Sequence, residues 1–143
     1  MKAGGAGRVR IVVVGGGAVG LAFAAACADD VHVIDSAPPR PARDPDAVDI
    51  RVFALSGGTR DFLRDIDAWR RLPADRIAAV TRMEIFGDDG AGRLDFTPTG
   101  GRALAWIAEG NRLSRAIEEA AHERGATVTS GARLRAIAAR DSG

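Results

Sequence analysis

The chain has 143 residues, 46% hydrophobic and 27% charged, enough for one domain with a real core and ordinary for a soluble protein. Twenty basic residues meet 19 acidic ones, so no charge excess argues for nucleic acid or an anionic membrane surface. A single cysteine, Cys27, excludes an intramolecular disulfide and fits a reducing, cytoplasmic setting.

Met1 to Gly7 reads as a loose tail. Arg8 to Val14 is a β-branched run suited to a buried parallel strand. Gly15, Gly17 and Gly20 follow at G-x-G-x-x-G spacing, where strand must turn into helix. Gly15 permits the tight turn, Gly17 lets a pyrophosphate approach the backbone, and Gly20 lets helix and strand pack closely. The N–H groups at the helix start, with the helix dipole behind them, favour an anion. The helix runs from Ala18 to Ala28, a tight turn follows at Asp29-Asp30, and a second strand spans Val31 to Asp35. Asp35 lies twenty positions past Gly15, at a strand tip where a carboxylate can accept hydrogen bonds from a ribose diol. Residues 8–35 thus predict a Rossmann-like βαβ dinucleotide unit. Its cofactor-binding positions are Gly15, Gly16, Gly17, Ala18, Val19, Gly20 and Asp35.

A secretory signal is the sharpest competing reading. Lys2, Arg8 and Arg10 precede the uncharged run Ile11 to Ala28, and Ala26-Cys27-Ala28 mimics a cleavage site. The glycines are costly in a signal helix, and a signal gives no reason for VHVID to follow. The same glycines argue against a membrane span. Cys27, among alanines, is expected to pack on the sheet as a small apolar side chain.

Residues 36–49 form a loop, since Ser36 to Val48 holds four of the six prolines. Ser56 or Thr59 caps a helix through about Ile66, with Phe62, Leu63 and Ile66 at helical spacing. Arg82 to Phe86 and Arg93 to Phe96 alternate about an Asp89-Gly90 turn, which predicts an antiparallel hairpin within residues 80–97, outside the parallel sheet. Asn111 to Arg124 is amphipathic, with Leu113, Ile117 and Ala120 or Ala121 on one face, and Gly125 ends it. Strands are expected at Ala126 to Ser130 and Arg133 to Ala138, with no closing helix. The fold class is therefore α/β, an FAD-type βαβ unit with an inserted hairpin and an incomplete C-terminal side. A plain nicotinamide dehydrogenase returns from its second strand through a helix into a third. The interruption here favours the FAD version, and Asp35 would repel the phosphate of NADP.

Other constellations are weak. Asp44, Asp46 and Asp49 lack the central glycine and terminal glutamate of a calcium loop. His32 and His122 have no partner at metal spacing. Ser56 sits in no G-x-S-x-G elbow. Trp69 and Trp106 read as core or hairpin contacts rather than stacking platforms.

From Asp49 onward a family resemblance adds to this. The stretch DIRVFALS, with Asp49, Arg51, Ala54, Leu55 and Ser56, resembles the D-x-R-x-x-A-L-S segment of the FAD-dependent hydroxylases of ubiquinone biosynthesis, kin of para-hydroxybenzoate hydroxylase. Ala68-Trp69, TRMEIFGDDG with LDF after it, and WIAEGNRLSRAI follow the same order, from about Arg8 to Ala138. The resemblance implies an FAD monooxygenase in which Arg51 contacts the cofactor, NAD(P)H reduces the flavin, and oxygen then supplies a hydroxyl to a small aromatic or quinone-precursor ring. The flavin carries that chemistry, so no catalytic side chain is expected. The structural alternative for Arg51 is a surface ion pair with Asp49 or Asp46.

Family members are longer and carry later Asp-Gly and Gly-Asp segments that close the flavin site. Where they read acid-Asn-Arg, this chain has Glu109-Gly110-Asn111. Residues 1–143 are therefore expected to be the N-terminal portion of one FAD-binding domain, inactive alone. A missing C-terminal part or a partner would complete it, in the cytoplasm or peripheral to the inner membrane. The alternatives are a small NAD-binding oxidoreductase and a non-catalytic nucleotide-binding fragment.

Overall fold

The computed structural model describes residues 11–27, 30–39, 47–88, 90 and 92–138. Along the chain run β1 (Ile11–Val14), α1 (Ala18–Cys27), β2 (Val31–Asp35), β3 (Val52–Leu55), α2 (Gly57–Asp65) and β4 (Ile77–Val80). Then come β5 (Met83–Phe86), β6 (Arg93–Phe96), β7 (Ala105–Glu109), α3 (Gly110–Glu123) and β8 (Thr127–Ser130). The architecture is α/β, divided into two compact units: Met1–Asp44 with Ile117–Gly143, and Pro45–Ala116.

In the first unit β1, β2 and β8 form a parallel sheet in the order β1-β2-β8. β2 is central, and its Val31 and Val33 are buried. α1 lays Leu21, Ala24 and Ala25 against the core, all fully buried, at the i, i+3, i+4 spacing of one helix face. Cys27 lies two positions beyond Ala25, off that face, and is exposed rather than packed on the sheet. Ala28, Asp29 and the expected strand start at Arg8 to Arg10 lie outside the described residues. His32, on β2, hydrogen-bonds both Thr127 (2.7 Å) and Thr129 (3.0 Å) of β8 through its two ring nitrogens. Gly125, at φ +93°, ends α3 in the left-handed region that L side chains avoid.

The expected strand Arg133 to Ala138 does not form. After β8 the Gly131 amide donates to the Ala37 carbonyl (2.7 Å) and the Ala132 amide to the Asp35 carbonyl (2.9 Å). This folds the chain back over the tip of β2, and residues 132–138 join no ladder.

In the second unit β3 and β4 flank β7 in an antiparallel sheet. Ser56 caps α2, its hydroxyl accepting from the Thr59 amide (3.2 Å), and Leu63 and Ile66 are buried behind it. β5 and β6 form a separate two-stranded hairpin. Asp89 lies outside the described residues, and the Gly87 amide closes the turn onto the Gly92 carbonyl (2.8 Å). Glu84 stands opposite Asp95, a like-charge pair that Arg82 and Arg93 bridge from both sides. Among the described residues no helix is long and apolar enough to cross a membrane.

Candidate functional site

The glycine turn joins the carboxyl end of β1 to the start of α1. Gly15 adopts φ +109°, which only glycine takes without strain, and its amide donates to the Ile34 carbonyl (2.8 Å). The turn is thereby stitched to β2. A Cβ at Gly20 would stand 2.0 Å from the Gly15 carbonyl oxygen and 3.2 Å from Val13, so the helix meets the turn at backbone contact. At Gly17 a Cβ would meet nothing within 4 Å. The first bond of α1 runs from the Leu21 amide to the Gly17 carbonyl (3.0 Å), so the amides of Gly17, Ala18 and Val19 precede the intrahelical ladder. Val19 is 85% exposed. The turn presents donors, a positive dipole end and open space together.

Asp35 closes the other side. Its Oδ2 accepts the Gly16 amide (2.9 Å) and its Oδ1 the Ala37 amide (2.9 Å). Each carboxylate oxygen keeps a second acceptor direction, so a diol could still bind. A Cβ at Gly16 would fall 2.5 Å from Asp35 Oδ2; glycine there is what lets the acid reach the turn. Beside them an open cleft of about 480 Å3 is lined by Gly15, Ile34, Asp35, Ser36, Ala132 and Arg133, among others. It lies outside the carboxyl ends of parallel strands, where open α/β sheets take their ligands. Arg133 and Ser36 were not predicted for this site. Only the chain reversal at Gly131 brings Arg133 there, and no spacing rule signals it.

Arg51 belongs to the second unit. Its side chain is 82% exposed, with Nε 3.9 Å from Asp49 Oδ1, a loose contact that leaves the guanidinium open to solvent. Its neighbours in the motif have structural tasks. Asp49 is buried, with 8% of its surface accessible, and accepts the amides of Arg51 (3.1 Å) and Asn111 (3.0 Å), capping α3. The Asp49 amide donates to Glu109 Oε2 (2.9 Å), and Glu109 Oε1 meets Arg76 (2.6 Å) and Arg112 (3.3 Å). The Asp49 amide is the main influence holding the Glu109 carboxyl below its ordinary 4.5; desolvation opposes it, and Arg76 and Arg112 add to it. At Gly110 a Cβ would stand 3.0 Å from the Phe53 ring and 3.3 Å from the Arg51 carbonyl oxygen. Phe53 thus crowds the position where the resemblance puts an asparagine.

No family model and no curated protein matches the chain. Solved structures do. A mutant of PqsL from P. aeruginosa superposes with a TM-score of 0.71 at 16% identity, over 93% of this chain and 36% of that one. The flavin-dependent brominase Bmp2 gives 0.62 at 17%, over 83% and 28%. The 2-methyl-3-hydroxypyridine-5-carboxylic acid oxygenase MHPCO gives 0.63 at 17%, over 85% and 31%. The chain thus has the fold of part of these structures, among them a flavin-dependent brominase and an oxygenase. It spans between 28% and 36% of their lengths.

Proposed function

We propose that the chain is the FAD-binding portion of an NAD(P)H-dependent flavin monooxygenase acting on a small aromatic or quinone-precursor ring, within the ubiquinone-hydroxylase branch that the Arg51 block resembles. The observation that carries this is the glycine turn: a Cβ at Gly17 would meet nothing within 4 Å, the amides there precede the helical ladder, and the adjoining Gly16 amide is held by Asp35, which lines the cleft together with Gly15. An ADP pyrophosphate suits the amides of Gly17, Ala18 and Val19, and its ribose suits Asp35. Arg51, a permanent and exposed cation, suits a cofactor phosphate. Bound FAD would supply the transfer of electrons from NAD(P)H to oxygen. The residues of this chain bind and orient it. The fold of the solved structures supports the flavin over the nicotinamide version, since a flavin-dependent brominase shares it.

The test is a side-by-side titration of the purified protein with FAD and NADH, following flavin absorbance and binding heat. Saturable FAD binding that exceeds NADH binding is expected. No retained flavin after incubation with excess FAD defeats the proposal, and tighter NADH binding replaces it with a nicotinamide protein. Asp35→Ala is expected to weaken FAD by about 1.5–3 kcal/mol, the worth of hydrogen bonds to a charged group. Equal FAD affinity in the variant would remove Asp35 from the site.

A further inference from the structure

The second unit holds a recess of about 550 Å3 between α2, the end of β4 and the segment entering β7. Arg60, Asp61 and Arg64 from α2, Thr81 after β4, Arg102 and Trp106 line it. Arg60 and Arg64 are four positions apart, on one helix face. Three guanidinia against the single carboxylate of Asp61 leave two positive charges in excess at the wall. None of these three arginines forms an ion pair among the described residues. Arg60 is held in place by rings instead: its guanidinium lies 4.6 Å from the Trp106 ring centre and 5.5 Å from that of Trp69. The two indoles meet edge to face at 6.2 Å. Its Nε–H is buried without an acceptor, a donor that folding leaves unsatisfied.

Like charges gathered in a concave wall repel one another unless an anion joins them. A guanidinium fixed between two rings also has little side-chain freedom left to lose on binding. We infer that this recess is an oxyanion site, taking the carboxylate or phosphate of a small molecule between Arg60, Arg64 and Arg102. It uses none of Gly15 to Gly20, Asp35 or Arg51, and so stands apart from the flavin reading.

Trp69 and Trp106 are the only tryptophans of the chain, so intrinsic fluorescence reports on this recess. Inorganic phosphate and benzoate are titrated separately at constant ionic strength, in wild type and in Gly17→Val, whose glycine turn is obstructed. A saturable fluorescence change is expected for at least one anion, equal in both backgrounds; which anion gives it identifies the ligand class. Arg64→Gln and Arg102→Gln, both at exposed positions, are each expected to weaken binding about tenfold through loss of a charge-assisted hydrogen bond. Arg82→Gln, on the hairpin, removes the same charge and is expected to leave binding unchanged. No saturable change with either anion overturns the site, as does loss of the change in Gly17→Val. Equal weakening by Arg82→Gln overturns it too, since that would be attraction to overall positive charge.

Discussion

Gly17→Val is expected to abolish FAD binding while the protein stays folded. A Cβ at Gly17 meets no atom within 4 Å, and the residue's φ lies outside the glycine-only region, so the fold tolerates the side chain. Valine is a poorer N-cap than glycine, a cost of roughly 1 kcal/mol or less. The same side chain fills the volume a pyrophosphate needs, and losing those amide contacts removes at least about 2.7 kcal/mol, a hundredfold in affinity. Gly20→Ala makes the complementary case. Its Cβ would overlap the Gly15 carbonyl oxygen at 2.0 Å, backbone against backbone, with no flexible side chain to yield. Overpacking of this kind is expected to cost about 3 kcal/mol or more, at the upper end of what cores show. Urea denaturation and flavin titration of the two variants separate the roles: Gly17→Val loses ligand at near-normal stability, and Gly20→Ala loses stability first. Unchanged FAD affinity in Gly17→Val would mean that the turn cradles no phosphate.

The βαβ unit was legible because its constraints are local. A β-branched run, a turn almost without side chains and an alanine-rich face leave few alternatives, and over the described residues β1, α1 and β2 form where the pattern sets them. The hairpin and α3 were legible for the same reason, through period-two alternation in one and a helical stripe in the other. The β3-β7-β4 sheet was not. IAAV and AWIAE lack the alternation that marks a half-exposed strand, and their pairing partners lie far along the chain. Arg133 to Ala138 misled for the opposite reason, since alternating residues there find no neighbouring strand. The motif around Arg51 shows the limit most clearly. Residue types cannot tell Asp49, which caps a helix 62 positions later, from Arg51, which faces solvent. Trp69 and Trp106 are neither plain core nor hairpin residues. They grip Arg60, a long-range contact that spacing does not encode.

Acid is expected to unlock the second unit through Glu109. Its carboxyl sits below the ordinary 4.5 in the folded protein, chiefly because the Asp49 amide donates to it, with Arg76 and Arg112 adding to the effect. A group depressed on folding stabilises the protein fully at pH above its unfolded value, because the unfolded chain then gains nothing by taking up a proton. As pH falls below 4.5 the unfolded state binds the proton first, and the contribution fades until the folded value is passed. Glu109→Gln removes the charge and leaves Arg76 and Arg112 beside a neutral amide, so the variant is expected to be less stable than wild type at pH 7. The gap should narrow as pH drops toward 3, since protonated wild type resembles the variant. Urea midpoints measured from pH 7 to pH 3 read this directly, and a gap independent of pH would show that Glu109 is not the titrating group. Asp49→Ala serves as the partner variant. It strips the cap from α3 and leaves the Arg51 and Asn111 amides without their acceptor, a loss of about 2 kcal/mol expected at pH 7. Asp49→Ala keeps the backbone amide that lowers Glu109 but loosens the segment that presents it, so the two effects are coupled, and the double variant should lose less than the sum of the singles. Additive losses would mean that the two buried acids act separately.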